Sequence, residues 1–96
     1  MPAYCFCNVA VQDPAGYDEY RKRTLATIEA FGGRFLVRGG EVQVKEGSYT
    51  PARVILLEFP SMEVARAWYD SPQYQAIIGY RTGTAKTDLI FLEGIA

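Results

Sequence analysis

Residues 53–81 read R-V-I-L-L-E-F-P-S-M-E-V-A-R-A-W-Y-D-S-P-Q-Y-Q-A-I-I-G-Y-R. From Arg53 to Phe59 the alternating sets are Arg53, Ile55, Leu57, Phe59 and Val54, Leu56, Glu58. Both sets are mostly apolar, which predicts a strand covered on both faces. Pro60-Ser61 ends the strand. Ser61 is a helix N-cap, and Glu63 falls in the first turn, where the helix dipole favours an acid. Val64, Ala65, Trp68 and Tyr69 form the apolar stripe of that helix. Ser71-Pro72 repeats the cap-then-proline signal and starts a short helix that turns Tyr74, Ile77 and Ile78 inward. The stretch therefore gathers Glu58, Trp68, Tyr69, Tyr74 and Arg81 into one compact region.

Working outward, Tyr4 to Val11 is apolar in both alternating sets except at Asn8, and reads as another buried strand. Asp13-Pro14 opens a helix that runs to about Phe31, with Tyr17, Tyr20, Thr24, Ile28 and Phe31, joined by Leu25, on its inner side. Asp18 with Lys22 and Glu19 with Arg23 have the acid four residues before the base, which suits an exposed face, so Arg21-Lys22-Arg23 reads as a solvated surface. Gly32-Gly33 ends the helix. Arg34 to Arg38 is a short strand, interrupted by Gly39-Gly40. Glu41 to Glu46 alternates cleanly, which predicts that 34–46 is one long strand broken in the middle. Gly47 to Pro51 is a turn, and Thr87 to Glu93 is the last strand. The order is β-α-β-β-α-β, an α+β class with an antiparallel sheet, expected as a single domain over residues 1–96. Right-handed crossovers place both helices on one sheet face. The other face is also apolar and needs a cover, for which a second copy of the chain, sheet against sheet, is the simplest candidate.

The bulk numbers exclude several classes. Ten basic and eleven acidic residues give a net charge of −1, with no electrostatic pull toward nucleic acid or an anionic membrane. No apolar run approaches the roughly 18 residues of a spanning helix. Met1-Pro2-Ala3 does not open a signal peptide, so a cytoplasmic location is expected. The chain has no histidine, which removes Ser-His and Cys-His catalysis and most zinc sites. Cys5 and Cys7 are a poor metal set and read as two free, buried thiols on one strand face. A redox role for the pair lacks a helix N-terminus or a neighbouring cation in sequence. No cofactor is expected.

Y-C-F-C-N-V-A-V-Q-D-P, F-G-G-R-F-L-V-R-G-G, P-A-R-V-I-L-L-E-F-P-S, A-W-Y-D-S-P-Q-Y-Q and the closing D-L-I-F-L-E-G together resemble the uncharacterised bacterial family called domain of unknown function 1330. The resemblance covers nearly the whole chain. It implies a ferredoxin-like fold of the dimeric α+β barrel type and brings no established reaction. Tyr4-Cys5-Phe6-Cys7-Asn8 departs from the more usual first strand of the family, so any role for Cys5, Cys7 or Asn8 would be particular to this chain.

Glu58, in mid-strand, must be paired, hydrogen-bonded or protonated. It is either half of an ion pair with Arg38, Arg53 or Arg81, or a general base in a cavity. Arg38 stands before Gly39-Gly40, where missing side chains leave room for a ligand carboxylate to approach; its alternative is an ion pair with Glu46, Glu58 or Asp70. Trp68, Tyr69, Tyr74 and Tyr80 lie near Arg81, and with Tyr20 they suggest the mouth of a pocket for a small, planar, anionic molecule. Asn8 can donate and accept inside such a barrel. The strand order also hosts RNA-recognition modules, but the third strand offers only Phe59 for stacking and the charge is wrong; nor is there a phosphate-loop pattern around Gly39 and Gly40. The expected function is binding of a small anionic or aromatic molecule by a homodimer. The alternative is a cofactor-free monooxygenase or isomerase acting on a small aromatic or enolisable acid. Its base would be Glu58, its anion clamp Arg38 or Arg81, and its oxyanion donor Tyr74 or Asn8.

Overall fold

A computed structural model describes residues 1–95 of the chain. Its elements are β1 (Ala3–Val11), α1 (Pro14–Ala30), β2 (Arg34–Arg38), β3 (Val54–Phe59), α2 (Met62–Asp70), α3 (Pro72–Gln75), α4 (Ile78–Thr82) and β4 (Ala85–Glu93). The four strands form one antiparallel sheet in the order β2-β3-β1-β4. This is the α+β, ferredoxin-like arrangement. β1 lies between β3 and β4; its Ala3, Cys5, Cys7 and Val9 face is buried, whereas Tyr4, Phe6 and Asn8 on the other face are only partly buried.

Local signals set the boundaries. The Asp13 carboxylate accepts from Gly16 N at 3.2 Å at the start of α1, and Gly32, with φ +72, takes the left-handed position after it. Ser61 Oγ caps α2 by accepting from Val64 N at 3.2 Å. Ser71 does more: its hydroxyl donates to Trp68 O at 2.7 Å and accepts from Tyr74 N at 3.1 Å, joining the end of α2 to the start of α3.

One sheet face carries Ala3, Cys5, Cys7, Val9, Leu57 and Phe59, all buried with Tyr17, Tyr20, Ile28, Ala65, Trp68 and Tyr74 of the helices. The other face is bare. Phe6 lies between Leu56 and Ile90, and Tyr4 pairs with Leu92; Ile90 is 50% exposed and Leu92 47%.

Three expectations change. Residues 41–46 are not a strand: β2 stops at Arg38, Gly39 turns the chain with φ +73, and 39–53 loops out before β3. An alternating pattern makes a strand only where a neighbour supplies ladder hydrogen bonds, and here β2 is the sheet edge. The loop is tied at its end, where Asn8 Oδ1 accepts from Ala52 N at 2.7 Å. Leu25 is exposed on α1, and Thr27 takes the inward place instead. On the outer face, Glu19 does meet Arg23, at 3.0 Å, but Asp18 pairs with Arg21 and Lys22 with Glu19.

β2 carries a bulge. Phe35 pairs with Leu57, whereas Val37 pairs with Leu56 and Arg38 with Ile55, which leaves Leu36 as the extra residue. In an unbroken strand Phe35 and Arg38 would point to opposite faces. The bulge brings Arg38 round to the helix side with Phe35, and its guanidinium lies 4.3 Å from the centre of the Phe35 ring.

The junction of α1 and β2 is tightly packed. A Cβ on Gly33 would fall 2.5 Å from Phe59 Cε1 and 2.8 Å from Ile28 Cγ2, both in the core. Gly33→Ala is expected to destabilise the fold by about 1–3 kcal/mol through overpacking. That corresponds to a fall in Tm of roughly 4–8 °C per kcal/mol for a chain of this size. A Tm at or above wild type in a thermal melt would show that the junction has slack.

Candidate functional site

Between α1 and the helix-covered face of the sheet lies a cavity of about 40 Å³, measured to the centres of water-sized spheres. That is room for about three water-sized groups. β1 contributes Cys7 and Val9 to its lining, β3 Ile55 and Leu57, α1 Tyr20, Thr24 and Ile28, α2 Trp68 and β4 Leu89. Tyr17, Phe35 and four arginines, Arg21, Arg38, Arg53 and Arg81, complete the lining. No aspartate or glutamate is among the lining residues.

The arginines are graded in depth. Arg21 and Arg38 stand exposed at the rim, Arg53 is half-buried, and Arg81 is 6% exposed. Arg21 is paired with Asp18 at 3.4 Å. The other three make no ion pair among the described residues. Arg81 donates from Nε to Tyr74 Oη at 3.3 Å, and its guanidinium lies 5.8 Å from the centre of the Tyr20 ring. Tyr20 and Tyr74 share a hydrogen bond of 2.8 Å between their hydroxyls. Three side-chain polar atoms are buried with no hydrogen-bond partner among the described residues, Thr24 Oγ1, Arg53 Nε and Thr87 Oγ1, and the first two belong to residues that line the cavity. Thr24 is 5% exposed. A buried cation and buried donors without acceptors are costly, and an anion in the cavity would relieve both.

The aromatic wall is built from the W-Y-D-S-P-Q-Y segment. Trp68 is buried, with its ring centre 4.2 Å from Tyr74 and 5.2 Å from Phe59, and it donates from Nε1 to Thr27 Oγ1 at 3.1 Å. Burial pushes the Tyr74 hydroxyl above the usual tyrosine range, with the neighbouring Tyr20 adding to it. Burial likewise raises Tyr17 and Tyr20. All three are neutral donors at ordinary pH.

The expected site residues separate into three groups. Arg38, Arg81, Trp68 and Tyr20 meet at the cavity. Tyr74 and Tyr69 stand behind it: Tyr74 holds Arg81 and Tyr20, and Tyr69 packs 5.5 Å from Tyr74 and 6.2 Å from Phe91. Glu58 and Asn8 are not there. Glu58 pairs with Tyr4 across the ladder, on the bare face, and its carboxylate accepts from Arg34 Nε at 2.9 Å. Its partner is thus Arg34 rather than Arg38, Arg53 or Arg81, because the strand alternation that aims Leu57 and Phe59 at the core aims Glu58 away from it. Asn8 anchors the 39–53 loop instead of reaching the cavity. Tyr80 is exposed, with the Arg23 guanidinium 5.0 Å from its ring centre. The space expected above Gly39 is taken by Arg53, whose Cζ would lie 2.5 Å from a Cβ at that position. Thr24, Arg53 and Cys7 were not expected as site residues. Thr24 and Cys7 sit where an apolar side chain would fit the pattern equally well, and Arg53 looks like an ordinary strand-end charge.

The family model described as "Domain of unknown function (DUF1330)" matches residues 2–95. No curated protein matches the chain. A crystal structure of a protein of unknown function from Rhodopseudomonas palustris is 18% identical; the match covers 99% of this chain and 83% of that one, with a TM-score of 0.78. A dimeric ferredoxin-like protein of unknown function from Jannaschia sp. is 13% identical over 98% of this chain and 100% of that one, with a TM-score of 0.67. SnoaB, a cofactor-independent oxygenase from Streptomyces nogalater, is 10% identical over 99% of this chain and 94% of that one, with a TM-score of 0.64. At these identities the likeness is one of fold.

The three buried phenols tie stability to alkaline pH. Their folded pKa values lie above the unfolded value of about 10. Their contribution is therefore complete below pH 10 and is lost as the pH rises further, because the unfolded chain releases protons that the folded one retains. Urea unfolding at pH 8, 10 and 11 is expected to show falling stability, with a shallower fall in Tyr74→Phe. Equal slopes in the two proteins would show that Tyr74 ionises as readily folded as unfolded.

Proposed function

The chain belongs to the family described as domain of unknown function DUF1330, and from the cavity we propose that it binds a small anionic molecule, with a compact apolar body of a few heavy atoms, between the sheet and its helices. The observation that carries this reading is Arg81, a guanidinium 6% exposed with no carboxylate partner among the described residues. In the proposed site Arg81 clamps the anion and Arg53 and Thr24 offer further donors. Arg38 at the rim draws the ligand in, and Tyr20 and Trp68 wall its apolar part. Tyr74, backed by Tyr69, positions Arg81.

A second reading is a cofactor-independent enzyme acting on a small aromatic or enolisable acid. The fold shared with SnoaB favours it. With Glu58 and Asn8 away from the cavity, proton handling would fall to Tyr20 and its hydroxyl partner Tyr74.

The protein is further proposed to work as a homodimer of single-domain chains in the cytoplasm. No helix among the described residues is long and apolar enough to cross a membrane. The bare face of Tyr4, Phe6, Leu56, Ile90 and Leu92 supports a sheet-to-sheet partner copy, and the Jannaschia protein of like fold is dimeric.

Thermal-shift measurements against acetate, propionate, butyrate and their neutral amides test the site. A carboxylate at a hundred times its Kd adds about 2.7 kcal/mol, several degrees or more in Tm. The shift is expected for acids and not amides, and is expected to vanish in Arg81→Gln and shrink in Arg53→Gln. Equal shifts for acids and amides, or shifts that survive both substitutions, would overturn the anion site. Mass analysis of the recovered ligand separates the readings, since a binder returns it unchanged. Sedimentation at micromolar concentration is expected to give twice the chain mass of 10.7 kDa, and Ile90→Asp to give the single chain. A wild-type monomer would overturn the dimer.

A further inference from the structure

Two features of the cavity are not used by the binding reading: a thiol in its lining, and a second thiol beside it. Cys5 and Cys7 are free, and their Sγ atoms are 3.8 Å apart on the same face of β1. Cys7 lines the cavity and Cys5 does not; Cys5 is fully buried beneath it. Cys7 thus shares one small space with Arg81 and with the unpartnered hydroxyl of Thr24. Cysteine thiolate is a far better nucleophile than the neutral phenols and hydroxyl around it.

We propose that Cys7 is a covalent capture site for small anionic electrophiles, short carboxylates with a reactive carbon next to or one atom beyond the acid, held by Arg81 with that carbon against the sulfur. The proposal rests on the anion-binding reading of the same cavity. With an α,β-unsaturated carboxylate, the Cys7 sulfur forms a bond to the β-carbon. The π pair shifts to the α-carbon, which takes up a proton from water as the thiol proton leaves to solvent. A thioether results, no group departs, and no oxidant or reductant is needed. The surroundings favour the attacking form: the hydrogen bond from Cys5, aided by the nearby Arg81 charge, holds the Cys7 thiol below its ordinary value in spite of burial. The same hydrogen bond, together with burial, pushes Cys5 up, which keeps it a donor. The volume limits the class to molecules of a few heavy atoms.

Iodoacetate and iodoacetamide are suitable probes, because they present the same reactive CH2 and differ in charge. In each case a sulfur–carbon bond forms, the carbon–iodine bond breaks, iodide leaves and the thiol proton goes to solvent. Rates at each cysteine are followed by peptide mass mapping, with the acid-to-amide rate ratio normalised to glutathione and to the same protein unfolded in urea. The expected result is labelling at Cys7 and not Cys5, with a normalised ratio of about tenfold or more in favour of the acid, as one nearby guanidinium at intermediate dielectric would give. Unreactive acetate should slow the labelling. Arg81→Gln should bring the ratio to that of glutathione, and Arg81→Lys should restore part of it. The native wild-type ratio needs no variant to be read. A ratio equal to that of glutathione, labelling led by Cys5, or no labelling of the native protein overturns the proposal. If acetate still raises Tm through Arg81 in that case, the binding site stands and only the thiol chemistry falls. If it does not, both fall.

Discussion

A guanidinium held out of water beside two phenols is the interaction on which the rest of the site depends. Arg81 sits in α4, but what fixes it comes from elsewhere: the Tyr74 hydroxyl of α3, itself bonded to Tyr20 of α1. Phenols supply hydrogen-bond acceptors without a negative charge, so they hold the cation in place and leave its charge uncompensated. A carboxylate at the same spot would have made an inert internal ion pair. Glu58, the acid expected for that role from the sequence, lies on the other face of the sheet with Arg34. A lining of four arginines, only one of them paired with an acid, and no aspartate or glutamate is what leaves the cavity electropositive in a protein whose net charge is −1.

Much of this was readable from residues, and the reason is local chemistry. Asp13-Pro14, Ser61 and Ser71-Pro72 each combine a side-chain acceptor with a backbone start signal, and each begins a helix where expected. The gathering of Trp68, Tyr74 and Arg81 followed from the same signals. What failed depended on partners far away in sequence. Alternation over Glu41 to Glu46 is a strand pattern without a neighbouring strand. Glu58 was correctly read as needing a partner, but alternation alone did not say which sheet face faced the helices, since both were apolar. The Leu36 bulge leaves no mark in R-F-L-V-R, because an extra residue is defined only by what lies opposite it.

The cavity also shows how a small fold divides labour between packing and recognition. Trp68 and Phe59 fill the core and need no ligand to be satisfied. Thr24 and Arg53 carry the cavity's unmet hydrogen bonds, and both occur where a purely structural side chain would have served. Cys7 belongs with them: it faces the cavity as a small, buried group, and only its neighbours distinguish it from an alanine or valine in the same position.

The bulge in β2 has a bearing on how such a site could change over generations. Side-chain direction along a strand is a matter of parity, and Leu36 is the residue that sets it. Closing the bulge with the length unchanged, so that Leu36 enters the ladder opposite Leu56, would exchange the faces seen by Val37 and Arg38, presenting an aliphatic group to the pocket rim and a charge to the bare side, whereas deleting Leu36 would leave both where they are. Relatives of this fold could therefore trade an anion-attracting entrance for a greasy one by a shift of pairing register at constant length, and a comparison made column by column would record no difference.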